Sequence, residues 1–177
     1  MIPIHHLLSE CAPLVAPATM AAIVRVESGG NPLAMYNNAT RQTILPSGLA
    51  QARAYLSKAI AAGQKVDVGL AQVDTENFAQ YGLNGNNAFN ACANLRVGSQ
   101  ILAADYFKAA RRYGVGQQAL FHAFEAYNSG RLRGDSPYAL KILSAAGAPA
   151  LVPVTYQQRE SPVFSPWVGT AGWTVLP

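Results

Sequence analysis

Glu27 stands where a carboxylate is costly. Met20, Ile23, Val24 and Glu27 fall at i, i+3, i+4 and i+7, one face of a helix, and the first three are apolar. A charge on such a stripe must be paired or kept protonated. Desolvation raises a carboxyl pKa, and the negative end of a helix dipole pushes the same way, so a carboxyl placed there can act as a general acid near neutral pH. Gly29 and Gly30 leave a second reading open: the helix ends here and Glu27 simply meets solvent.

Two other segments carry reactive or hydrogen-bonding groups in compact order. In "VDVGLAQV", Val66 to Val73, Gly69 permits close backbone approach and Gln72 offers both a donor and an acceptor. In "AYNSG", Ala126 to Gly130, a phenol, an amide and a hydroxyl close a helix. Each is weak alone; their order and separation are more specific. Acid–base chemistry can call on a second carboxylate beside the first. Asp67, Asp74, Glu76 and Glu125 lie in or beside these segments and are the possible partners of Glu27. Asp74 reads as a turn or helix-start residue. Glu125, two residues before Tyr127 and on another helical face, reads as solvent-facing.

Other chemistries find less support. His5, His6, His122, Cys11 and Cys92 lack metal-ligand spacing, so no metal is expected, and no cofactor. No glycine-rich loop opens a helix after a strand, which argues against nucleotide binding. Ser28 has no neighbouring His to act as its base, and nothing in the sequence recommends His122 for that role.

The elements that must position these groups read as helices. Helices are expected over Ala18 to Ser28, over Leu49 to Ala62 with Leu49, Ala52, Leu56 and Ile60 on one side, and over a short stretch capped by Thr75 and ending near Gly82. The longest spans Ala91 to Tyr113, with Leu95, Leu102 and Tyr106 near helical spacing, followed by Gln117 to Ser129 and by Ser136 to Ala146. Alternating strand patterns are scarce. After Gly147 the texture changes: residues 148–177 are Pro-rich and without helical period, yet hold Phe164, Trp167 and Trp173. That tail reads as extended or mobile, its aromatics folded back on the helical body or docked on another protein.

With 177 residues, half of them hydrophobic and 12% charged, the chain can build one domain with a real core, 1–147, and disorder throughout is excluded. No apolar run approaches the ~20 residues a membrane span needs. The net charge of +4 is dispersed, only Arg111-Arg112 and Arg131/Arg133 lying close together, which disfavours nucleic-acid readout. Cys11 and Cys92 could be buried thiols in a reducing compartment or a bridge from the N-terminal segment to mid-chain. "MIPIHHLLSECAP" lacks the basic n-region and long apolar centre of a signal peptide, so either export uses another route, or the start has been trimmed, or the protein is cytoplasmic.

Taken together, Glu-Ser followed by Asn-Pro, then Gly-Leu-Ala-Gln, then Ala-Tyr-Asn-Ser-Gly resemble the catalytic domain of lytic transglycosylases of the goose-type-lysozyme (SLT) fold. "CAPLVAPATMAAIVRVESGGNP", "AAGQKVDVGLAQV" and "CANLRVGSQIL" bring the chain nearest to the VirB-type branch attached to type IV secretion and conjugation machines. The resemblance covers about Cys11 to Gly130. It implies a mainly α, lysozyme-like domain that cleaves the β-1,4 bond between N-acetylmuramic acid and N-acetylglucosamine, leaving a 1,6-anhydro end. It implies Glu27 as acid and then base, Tyr127 hydrogen-bonded to it, and Ser28 orienting it. Gln72, Asn128, Gly69 and Leu70 would bind or shape the glycan, and Asp67 would support its loop. It implies no second catalytic carboxylate, because the substrate's acetamido group assists. Peptidoglycan strands and secretion components, the latter through the tail, are the partners implied. The setting implied is the periplasm, which fits a Cys11–Cys92 bridge. A hydrolytic muramidase and a non-catalytic scaffold are the alternatives.

Overall fold

The structure is a computed structural model that describes residues 4–147. The Pro-rich tail at 148–177, with Phe164, Trp167 and Trp173, lies outside the described residues, as do residues 1–3.

Seven α-helices are found among the described residues: α1 Ile4–Cys11, α2 Pro17–Ser28, α3 Leu49–Ala61, α4 Phe78–Tyr81, α5 Ala91–Tyr113, α6 Gln117–Ser129 and α7 Ser136–Ala145. Their ends follow local chemistry. Pro17 opens α2 without losing a hydrogen bond, and Gly29, at φ 61°, closes it in the left-handed conformation. Asn90 caps α5 by accepting the Ala93 N–H at 3.0 Å. Asp135 caps α7, with Pro137 in its first turn.

The sequence reading missed α1 and a sheet. Strands β1 Met35–Asn37, β2 Gln42–Ile44, β3 Val66–Val68 and β4 Val73–Asp74 form an antiparallel sheet in the order β2-β1-β3-β4. None exceeds three residues, too short for alternation to stand out. The expected Thr75 cap is replaced by Asp74, whose Oδ1 accepts the Glu76 N–H at 2.8 Å and starts a 3-10 turn, Thr75–Asn77. In α3 only Ala52 and Leu56 of the expected stripe are buried. Leu49 and Ile60 lie at its edges, 42% and 45% exposed.

Two apolar cores result. One joins α1, α2, α5, α6 and α7 through Leu8, Ile23, Leu102, Phe124 and Ile142; the other joins the sheet, α3 and α4 through Met35, Leu56, Val68 and Phe78. Helix α5 contributes to both, with Leu95 and Leu102 on one side and Val97 on the other. A disulfide between Cys11 and Cys92 ties α1 to the first turn of α5. Among the described residues no helix is long and apolar enough to cross a membrane.

Candidate active site

A cleft of about 1210 Å³ runs between the sheet and the helices, lined by Glu27, Asp67, Gln72, Asp74, Tyr127 and Asn128 among others. Glu27 occupies the last turn of α2, one residue before Ser28. Its stripe-mates Met20, Ile23 and Val24 are buried, so the periodic reading of this helix holds and the carboxyl stands at the rim of the core. Burial pushes its pKa up to about 7. A hydrogen bond from Tyr138 pulls the other way, and the charge of Asp67 adds to the rise.

The phenol on Glu27 is not the one expected. Tyr138 Oη, from the first turn of α7, donates to Glu27 Oε1. Tyr127 Oη donates instead to the Ala71 carbonyl at 2.7 Å. Burial and the neighbouring negative charge of Glu27 both push the Tyr138 phenol upward, so it stays protonated and keeps a proton to donate to the carboxylate. Sequence reasoning missed Tyr138: it lies 111 residues from Glu27, on a helix whose pattern reads as ordinary packing.

The three sequence segments meet on one loop, residues 69–72. Ser28 Oγ donates to the Leu70 carbonyl at 2.9 Å, and Tyr127 to Ala71. From α5, Asn94 Nδ2 donates to the Val68 carbonyl at 2.8 Å, while its Oδ1 accepts the Ala71 N–H at 2.8 Å. So Ser28 fastens the end of α2 to this loop and does not hydrogen-bond the Glu27 carboxyl. Gly69 has φ +81°, and a Cβ there would stand 2.6 Å from Asn94 Nδ2. Gly98 of α5 is likewise required by contact, since its Cβ would meet the Ala71 Cβ at 2.5 Å. Leu70, expected against the glycan, is 5% exposed and packs into the helical core. Asn94 and Gly98 lie in the "CANLRVGSQIL" stretch that carries the resemblance, but neither was given a role, because both are positions within the long helix α5.

Gln72 is held in the left-handed region at φ 45°, unusual for a residue with a side chain. Its Nε2 donates to the carbonyls of Ala34, at 3.0 Å, and Gly69, at 2.8 Å. Two carbonyls facing that end of the amide fix its orientation, and the side-chain oxygen remains as an acceptor on the cleft wall. Asn128, at the end of α6, donates to Asp135 Oδ2 at 2.7 Å.

Among the carboxylates, Asp74 caps a turn as the sequence reading had it, whereas Glu125 departs from that reading. Asp67 lines the cleft on β3, opposite Asp74 on β4. Burial raises its pKa to about 6, the Asn38 amide that donates to it opposes this, and Asp74 adds to it. Glu125 is 3% exposed, not solvent-facing. Its Oε2 pairs with His122 Nδ1 at 2.6 Å and its Oε1 accepts from Ser136 Oγ. Helical period placed it away from Tyr127 correctly, but α7 covers that face.

Fold and site together define a lysozyme-like domain with a buried acid at the foot of one helix. Residues 8–139 match the Transglycosylase SLT domain family, and the chain belongs to that family. It is similar to the "Type IV secretion system protein virB1" of Brucella abortus (strain 2308), 39% identical over 154 residues, covering 82% of this chain and 65% of the relative. It is also similar to "Protein virB1" of Agrobacterium fabrum, 35% identical over 162 residues, covering 89% of this chain and 66% of the relative. The matched stretch thus spans just under two thirds of the relatives' own length. No solved structure matches the chain significantly.

Proposed function

We propose that this chain is a peptidoglycan lytic transglycosylase that opens the wall locally for a type IV secretion or conjugation apparatus in the periplasm. The observation that carries the reading is the Glu27 carboxyl, held by burial at a pKa of about 7 on the wall of a large cleft. Near neutral pH much of it carries a proton, which it donates to the glycosidic oxygen as the bond to C1 of N-acetylmuramic acid breaks. The acetamido oxygen of that sugar stabilises the cationic centre. Its C6 hydroxyl oxygen then bonds to C1, returning its proton to the Glu27 carboxylate and closing a 1,6-anhydro ring. No water enters the balance. Tyr138 steadies the carboxylate formed midway, because a hydrogen bond favours the charged form. The Gln72 oxygen suits an acetamido N–H, and Gly69 and Leu70 act by shaping the loop that presents it.

Asp67 supports a second reading, a muramidase that uses water. It faces the same cleft, its charge raises the Glu27 pKa, and at pH 7 it is mostly ionised while Glu27 is about half protonated. Mass spectrometry of fragments released from purified peptidoglycan decides between them. Anhydro ends, lighter by one water, support the transglycosylase; reducing ends alone overturn it. Contact with the secretion apparatus is assigned to residues 148–177, supported by Phe164, Trp167 and Trp173 in a Pro-rich segment. Removing them should abolish recruitment and leave lysis by residues 1–147 intact.

A further inference from the structure

We propose that Asn128, Asp135, Ser136 and Glu125 form a polar brace that sets α7, and with it the Tyr138 hydroxyl, on the acid. Asn128 Nδ2 donates to Asp135 Oδ2 at 2.7 Å. The other oxygen of Asp135 accepts the backbone N–H of Tyr138 at 2.9 Å, capping α7. Tyr138 then donates to Glu27. A second tie runs beside the first: Ser136 Oγ donates to Glu125 Oε1, and the other Glu125 oxygen is held by His122. Both ties link the C-terminal half of α6 to the first turn of α7.

Burying Glu125 to 3% exposure is expensive for a residue of simple packing duty. An apolar side chain would fill the same space without desolvating a carboxylate. What the polar arrangement supplies is direction. Apolar contacts between α6 and α7 leave rotation and axial slip of α7 weakly determined, whereas two hydrogen-bonded ties in one turn fix both. The connection between the helices is folded onto the same point. Ser129 Oγ donates to the Glu125 carbonyl at 2.6 Å, and a Cβ at Gly134 would fall 1.7 Å from the Ser129 Oγ. Tyr138 follows Asp135 by three residues, and any rotation at the start of α7 carries its phenol off Glu27. Asn128, a residue of the third sequence segment, therefore acts through Asp135 and Tyr138 and is a positioning residue.

This rests on the reading of Glu27 as the acid. The test is a double-mutant cycle on lysis of purified peptidoglycan, read as rate against pH with the full chain. Tyr138→Phe removes a hydrogen bond that lowers the Glu27 pKa, so the alkaline limb moves to higher pH and the maximal rate falls, by about tenfold. Asn128→Ala and Ser136→Ala, singly and together, should move the limb the same way with a rate loss of about threefold to tenfold. In the Tyr138→Phe background they should cost nothing further. Losses that multiply with that of Tyr138→Phe, or an unmoved limb, overturn the brace. The single variants keep the test open if the double variant does not fold. Glu27→Gln serves as the control: if it lyses at the wild-type rate, the reading of the acid fails; if it is dead and the cycle multiplies, only the brace fails.

Discussion

Replacing Glu27 by Gln should stabilise the protein, and only above the pH at which the carboxyl ionises in the unfolded chain. The Glu27 carboxyl titrates near 4.5 when unfolded and at about 7 in the folded protein. Between those values the folded state holds more protons than the unfolded one, so stability falls as pH rises through that window. The stability linked to the held proton is fully present below about 4.5 and lost as pH passes about 7. The full penalty amounts to about 3 kcal/mol. For a chain of this size that corresponds to a melting temperature difference of about 6–12 °C. Gln keeps the shape and the acceptor that Tyr138 uses while removing the charge and its repulsion with Asp67. Thermal unfolding of both proteins from pH 4 to pH 8.5 gives the comparison. The curves should coincide below about pH 4.5, part progressively as pH rises to about 7, and stay separated by the full amount above it, with Glu27→Gln the more stable. A constant difference across the range would refute the desolvation argument, because a packing effect carries no proton linkage.

Three other outcomes follow from the same geometry. Gly69→Ala forces a Cβ against Asn94 in a left-handed backbone, and should cost about 2–3 kcal/mol in urea unfolding, with an unchanged slope. Reducing the Cys11–Cys92 bridge, which closes a separation of 81 residues, should lower stability by about 4–5 kcal/mol in the chain-entropy account, measured with and without reductant. The rate of peptidoglycan lysis should decline as pH rises past about 7, where Glu27 loses its proton; a plateau to pH 9 would contradict its role as acid.

The helices were legible because their ends are chemically marked. Gly114, Gly130 and Pro137 mark ends of α5, α6 and α7 within a residue of the expected positions. Glu27 was legible because a carboxyl broke an apolar period. The sheet was not, since Val66 to Val68 and Met35 to Asn37 offer only three residues each and draw their stability from pairing with distant partners. The same reason hid Tyr138. A phenol in the first turn of α7 reads as core, and only tertiary packing brings it to Glu27, while Tyr127 of the better marked segment is turned to the Ala71 carbonyl. Ser28 and Tyr127 were singled out for contact with the acid or the glycan. The structure gives both a shared task, gripping the loop that carries Gln72.

The whole mechanism stands on one protonation state, and an NMR titration of the labelled Glu27 side-chain carboxyl carbon in the folded protein reads it directly. The account predicts a midpoint at about 7. A midpoint near the ordinary 4.5 would mean that this carboxyl has no proton to give at neutral pH, and the proposed cleavage would have no acid.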